Sequence, residues 1–460
     1  MGYSQFLNMM PEAILVLMLL IVFVADFCLH KSERKLEIVG RLTMTLLICQ
    51  TVMLTNEGPS EAFGGMYVAS QAAQVMKIIL TFGTFIVVVM AQPWLESKTS
   101  NLKSQTSNPT GEFHLLVLST LLGMYIMISS GNFLLFFLGL ETASVPMACL
   151  VAMDKLKKNS AEGAAKYILT ATFSSGVMLY GLSFIYASVG TLYFDDVATA
   201  ITMEKIIPEA SRSLTLEIMG LVFFFSGLGF KLSLVPFHFW TADTYEGAPT
   251  PVTGYLSVIS KGAAAFALMV ILMKAFGPLT AYWEYLLYIV IVLSITVANL
   301  FAIRQSELKR FMAFSSISQA GYIMLAVIGA SQAGMTALMY YVLVYVVANM
   351  AVFTVISAVE QSGLTSHLYE SLRRSLPDQS EAGVPYDHRP LLAGWHPAVC
   401  WYVLQVLRLH GSRRARLLLG LLRRLRRLDQ HCCELVLLPA HRQGHVYQAD
   451  RQPAARVPHR

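Results

Sequence analysis

The stretch "KLSLVPFHFWTADTYEGAPTPVTGYLSVISKGAAAFALMV", residues 231–270, holds a lysine at position 231, another at 261, and prolines at 236, 249 and 251. The ten residues before it, "LVFFFSGLGF", carry no charge. Those flanks place Lys231 inside a membrane helix, and Pro236 removes a backbone hydrogen bond from that helix and breaks or kinks it. In a bilayer, interrupted backbone is tolerated only where protein buries it or a wet cavity receives it. The stretch therefore predicts a broken membrane helix with Lys231 before the break and His238 just after Pro236. Lys261 falls in the middle of the next span.

The rest of the chain is of the same kind. Of 460 residues, 55% are hydrophobic and 13% charged, and mean hydropathy is +0.56; soluble domains carry about 25% charged residues. Uncharged runs at 115–140, 167–194, 285–303 and 311–359 each match or exceed the roughly 20 residues that cross a hydrocarbon core. Breaks at Gly, Pro and charge divide the first 358 residues into eleven spans, near 12–30, 40–55, 75–95, 113–129, 132–153, 164–189, 215–240, 252–274, 283–303, 311–329 and 334–358. The fold class is an all-α, polytopic transmembrane helical bundle. Its apolar N-terminus lacks a basic leader and a small-residue cleavage site, so a retained first helix is expected. The six cysteines are scattered, with neither a disulfide nor a zinc spacing; Cys28, Cys49 and Cys149 in apolar helices read as packing. Basic residues cluster at Lys155, Lys157, Lys158 and at Arg304, Lys309, Arg310, which marks both loops as cytoplasmic. The membrane orientation of these loops is left open by the sequence.

Ionisable groups inside spans cost several kcal/mol unless paired or hydrated, so they mark function. Glu141 lies in "FFLGLETASVPMA", Lys231 and Lys261 in the stretch quoted first, and Lys166 opens "KYILTATFSSG" as an accessory candidate. Asp26 reads as the end of the first helix. Lysine suits proton transfer because burial and a nearby carboxylate move its proton affinity in opposite directions. His238, between the two lysines, adds a group that titrates near neutrality. The chain has no iron–sulfur cysteine spacing, no dinucleotide glycine fingerprint and no haem pair, so no cofactor and no metal are expected in it.

"LGLETASVPMACLVAMDK" (138–155), "SAEGAAKYILTATFSSGVMLYGLSFIYASVGT" (160–191), "GLGFKLSLVPFHFWTADTYEGAPTPVTGYLSVISKGAAAFAL" (227–268) and "QSELKRFMAFSSISQAGYIMLAV" (305–327) resemble the antiporter-like subunits of proton-pumping NADH-quinone oxidoreductase, respiratory complex I. "LGLE" and "KYILTATFSS" favour its N-type subunit; multisubunit Na+/H+ antiporters share the "PFHxWxxDxxEGAPTPV" pattern and are the alternative. The resemblance covers most of residues 10–370. It implies about fourteen helices, antiporter-like inverted repeats of five helices each, and a discontinuous helix in each repeat. Carried over, Glu141 is the carboxylate of the fifth helix, Lys231 its partner on the broken seventh, Pro236 the break, His238 a connecting relay, and Lys261 the centre of the eighth. NAD and quinone would be used by the whole complex rather than bound by this chain. The implied partners are the other membrane subunits of complex I, quinone through the complex, and the lipid bilayer of a bacterial inner membrane. No nucleic acid is expected. The domains read as N-terminal helices to 110, a first repeat at 111–275, the start of a second at 276–370, and a tail.

That tail departs from the pattern. Residues 1–370 hold 14 Lys and 5 Arg against 22 acids, whereas residues 371–460 hold 15 Arg, no Lys and 6 acids, and also lack Ile, Phe, Met, Thr and Asn. The family's second broken helix, "AGIPPFAGxxSKFF", is missing. Yet "WHPAVCW" (395–401), back-translated as TGG CAT CCC GCC GTT TGC TGG and read with two letters supplied by Gly394, gives "AGIPPFAG". The following "YVLQVLRLHG" shifts in the same frame to "TFSKFFVFMA", restoring the lysine. The tail therefore reads as out-of-frame translation beginning between about residues 362 and 384, and the literal chain as lacking the second repeat's lysine, which makes a non-functional truncated product a further alternative.

Overall fold

In the computed structural model the described residues are 4–29, 32, 34–101, 109–155, 157–206, 214–305 and 307–361, all within the larger of the chain's two units, Met1–Val403. The tail, its predicted frame change and the incomplete end of the second repeat lie outside them.

The elements in chain order are α1 (Ser4–Leu7), α2 (Met10–Cys28), α3 (Lys35–Asn56), β1 (Ser60–Ala62), β2 (Tyr67–Ala69), α4 (Gln71–Asn101), α5 (Pro109–Ile128), α6 (Phe133–Val151), α7 (Lys158–Val189), α8 (Phe194–Ile206), α9 (Leu214–Leu232), α10 (Phe239–Gly247), α11 (Thr250–Lys274), a 3-10 turn (Gly277–Leu279), α12 (Thr280–Ala302), α13 (Leu308–Ile328) and α14 (Gln332–Gln361). Eleven of the helices are long and apolar enough to cross a membrane, as the hydropathy predicts. Not legible were the antiparallel hairpin β1–β2, α8, whose first turn carries Asp195 and Asp196, and the short α1 and 3-10 turn.

Local chemistry sets the helix ends. Pro11 and Pro251 stand in the first turns of α2 and α11, where a missing N–H costs nothing. Asn132 caps α6 by accepting from Leu134 N at 2.7 Å. Gly190, at φ 79°, closes α7 in the left-handed conformation, which glycine adopts without steric cost. Helices close on small residues, since lipid supplies no hydrophobic drive for association. At Gly181 of α7 a methyl group would stand 2.7 Å from the backbone N of Phe224 and 2.8 Å from Gly220 O on α9, too close to be accommodated.

α9 and α10 together make one crossing. α9 begins where α7 ends, with Ser188 donating to Glu217, and α10 finishes beside the start of α7, with Asn159 donating to Glu246. Between residues 158 and 303 the chain therefore crosses four times, through α7, α9–α10, α11 and α12. The four spans read from the sequence between the loops match these four crossings, so both basic loops share a face. We call this the basic face, and the opposite one, bearing β1 and β2, the hairpin face. On the basic face Asp154 accepts from Lys98 at 2.6 Å and pairs with Lys157 at 3.1 Å. Burial pushes its carboxyl up, but these two lysines outweigh burial and hold it below the ordinary carboxylate value.

The perimeter is apolar: Leu169, Phe173, Tyr285 and Ile289 are exposed, as lipid-facing positions are. Cys28, Cys49 and Cys149 are exposed as well, so these thiols do not serve as interior packing. α11 is the opposite case, buried along nearly its whole length, and it forms the axis around which the site is built.

Candidate functional site

The break predicted at Pro236 lies between α9 and α10. Ser233 takes φ 60°, and Ser233 N and Leu234 N turn back to Phe230 O and Gly229 O, both at 2.9 Å. The interruption is then closed by side chains: Trp240 Nε1 donates to Phe230 O at 3.1 Å, and Ser294 Oγ of α12 accepts from Val235 N at 3.0 Å. Backbone groups released by the break are thus satisfied inside protein, the condition under which membrane helices tolerate one.

Lys231 ends α9 and is buried. Its ammonium donates to Ser144 Oγ of α6 at 2.8 Å and to Tyr167 OH of α7 at 3.3 Å, beneath a cage in which Trp240 lies 5.0 Å from Tyr167 and 5.1 Å from Phe230, ring centre to ring centre. Glu141, half-buried on α6, accepts from the hydroxyl of Ser175 on α7. The carboxylate and the ammonium bond to different hydroxyls rather than to each other. Ser144, three residues after Glu141, lies on the same helix face about one turn away. The Glu141 carboxylate and the Lys231 ammonium thus interact through charge and not through a shared hydrogen bond.

Lys261, in the middle of α11, is also buried. Its ammonium donates to Ser316 Oγ of α13 at 2.7 Å and stands 5.6 Å from the centre of the Tyr245 ring of α10. Ser316 donates its own proton to Ser257 O at 3.2 Å, so the Tyr245 hydroxyl, 3.2 Å away, is the donor to Ser316. Asn349 of α14 donates to Ser257 Oγ at 2.7 Å. The partners of both lysines, hydroxyl groups throughout, can accept a proton bond and pass one on.

His238 occupies the break and is buried, with Nδ1 lacking a partner among the described residues and its ring 4.6 Å from that of Phe239. The structure brings it into hydrogen-bond contact with neither lysine. Lys166, read as an accessory, lies apart from the buried pair: it is partly exposed and pairs with Glu162 and Asp243, both at 2.6 Å. Asp243 and Glu246 of α10 also pair with Arg310 of α13, so Lys166 belongs to an ionic tie that fixes the outer end of α10 on the basic face. Ser144, Tyr167, Ser175, Tyr245 and Ser316 were missed by a search for charge. Only Ser144 carried a signal in its spacing, since it follows Glu141 by three residues.

A broken membrane helix whose two halves are braced by neighbouring side chains, flanked by two buried lysines and a carboxylate, defines an antiporter-like ion-translocating membrane subunit. The family model "NADH:quinone oxidoreductase/Mrp antiporter, TM" matches residues 130–377. NADH-quinone oxidoreductase subunit N of Phocaeicola vulgatus is 54% identical over 363 residues, 78% of this chain and 73% of the relative; that of Azobacteroides pseudotrichonymphae is 47% identical over 78% and 72%. A chain of respiratory complex I from Thermus thermophilus superposes with a TM-score of 0.64 at 28% identity, over 90% of this chain and 86% of that one. An Mrp complex from Dietzia shares the fold, with a TM-score of 0.62 at 19% identity over 77% and 65%. The chain belongs to the NADH-quinone oxidoreductase subunit N family, and so is a multi-pass, proton-translocating membrane subunit of that enzyme complex and a partner of its other subunits. The Na+/H+ antiporter alternative is not favoured.

Proposed function

We propose that protons cross this subunit through Glu141, Lys231 and Lys261, with His238 as the relay in the gap between the lysines. The observation that carries the reading is that Lys231 and Lys261 are both buried deep in an apolar bundle and bonded to hydroxyls. A lysine so placed is costly for a membrane protein to keep unless it handles charge. α10 joins the two sites, since Trp240 walls Lys231 and Tyr245 serves the hydroxyl cluster at Lys261. The basic face, with Lys155, Lys157, Lys158, Arg304, Lys309 and Arg310, is assigned to the cytoplasm of a bacterial inner membrane by the positive-inside rule. The exposed apolar perimeter is assigned to lipid. NAD oxidation and quinone reduction are assigned to other subunits, and this chain to the protonic side of the coupling.

Lys261→Met, close in length and without charge, tests the reading in the assembled complex. We expect NADH-driven proton pumping to fall at least fivefold with assembly intact; pumping at the wild-type rate would remove Lys261 from the path. The out-of-frame reading of the tail is a separate proposal, supported by the end of the family match at residue 377. Intact mass of the native subunit tests it: a mass that fits a continued family-like frame is expected, and one equal to the literal 50.9 kDa chain would overturn it.

A further inference from the structure

The route just proposed leaves unused the most completely buried ion pair in the described structure. Lys77 of α4 and Glu12 of α2 stand 2.6 Å apart with side chains 0% and 5% exposed. The second carboxylate oxygen accepts from Tyr67 OH at 2.9 Å, and Lys77 also donates to that hydroxyl at 3.1 Å. The ammonium lies 5.3 Å from the ring centres of both Tyr67 and Tyr125. Stability alone is a weak reason for such a pair, because well-packed apolar residues of the same volume usually serve as well.

The surroundings suggest a use. Lys77, Thr81 and Thr84 follow one another at helical spacing on a single face of α4. Thr81 gives its proton to Lys77 O at 2.7 Å and meets the hydroxyl of Tyr125 of α5, which also donates to Lys77 O at 3.4 Å. One turn deeper, Thr84 meets Tyr255 of α11, whose hydroxyl also contacts Thr120 at 2.8 Å. Tyr255 precedes Lys261 by six residues on the same helix. In the other direction, half-buried Glu57, just past the end of α3 on the hairpin face, feels the charges of both Lys77 and Glu12. Burial holds Glu57 above the ordinary carboxylate value, with Lys77 opposing and Glu12 adding to the rise. The ionisable groups that face the pair are thus Glu57, Tyr67 and Tyr125.

We propose that Glu12, Lys77 and Tyr67 form a further proton-binding site, the outer end of a hydroxyl ladder that leads through Thr81, Tyr125, Thr84 and Tyr255 towards Lys261. The inference rests on the proton-route reading above. The 2.6 Å contact lets the pair exist as ammonium with carboxylate or as amine with carboxylic acid, the same proton on either atom. A proton arriving at the amine of the second form gives ammonium with carboxylic acid. Release of the acid proton towards Glu57 then restores the original pair, with one proton taken in and one given out.

The test uses the assembled complex in sealed vesicles, with protons moved per NADH oxidised as the readout. The double variant Glu12→Gln/Lys77→Met removes both charges while keeping shape. At least a twofold fall in that ratio is expected, with recovery in the reversed pair Glu12→Lys/Lys77→Glu, which keeps one exchangeable proton. A wild-type ratio in the double variant, or no recovery in the reversed pair, would overturn the proposal. If the double variant does not assemble, redox-triggered infrared difference spectra of wild type and Glu12→Asp decide: a carboxyl band displaced by the substitution supports proton exchange at Glu12, and identical spectra refute it. That band reports the cluster without reference to Lys261, so failure of the Lys231–Lys261 route and failure of this site give different results.

Discussion

Lys231→Ala is expected to lower proton pumping and coupled quinone reduction by at least tenfold in the assembled complex. The substitution deletes the one group that bonds to both Ser144 and Tyr167, leaving a cavity under the Tyr167–Phe230–Trp240 cage where a proton has nowhere to reside. A tenfold loss corresponds to about 1.4 kcal/mol on the limiting step, modest beside the electrostatic effect of a buried charge. Lys231→Arg is the informative companion. Guanidinium keeps the positive charge but does not release its proton near neutral pH, so activity is expected to remain as low as in the alanine variant. Recovery with arginine would mean that charge alone matters and that no proton passes through this position.

Glu141→Gln is expected to reduce pumping nearly as far as Glu141→Ala, about fivefold or more. The amide oxygen of glutamine can still accept the Ser175 hydroxyl, so packing survives while the negative charge does not. Glu141→Asp keeps the charge and should retain a substantial part of the rate. If Gln and wild type pump alike while Ala fails, Glu141 acts through its contact with α7 and not as a charge partner of Lys231.

Glu141, Lys231 and Lys261 were legible in the sequence because a charge in an apolar run is expensive and stands out. The break was legible for a similar reason, since Pro236 sits five residues beyond Lys231 where a helix would otherwise continue. What the sequence hid is chiefly neutral. Serine and threonine hydroxyls in membrane helices commonly bond back to their own turn, as Ser144 does to Leu140 O at 2.7 Å, and nothing in the linear order marks those that also receive a lysine. His238 falls between two lysines in sequence, and in the structure it sits in the break, in hydrogen-bond contact with neither. Lys166 looked like an intramembrane charge because its span has no other basic residue, whereas its partners Glu162 and Asp243 come from the helix start and from α10. Glu12 and Lys77 escaped notice because each lies near a span end, where a long polar side chain ordinarily reaches water. Their pairing, across 65 residues of chain, is set by tertiary structure alone.

α10 is only nine residues long, but it is tied at every level. Asp243 and Glu246 tie its outer turn to α7 and α13, Trp240 pins its inner turn to Phe230 O, and Tyr245 reaches Ser316. Because Trp240 walls Lys231 and Tyr245 reaches the same Ser316 that receives Lys261, one short rod borders both lysine sites, and a substitution that displaces it is expected to disturb the two together.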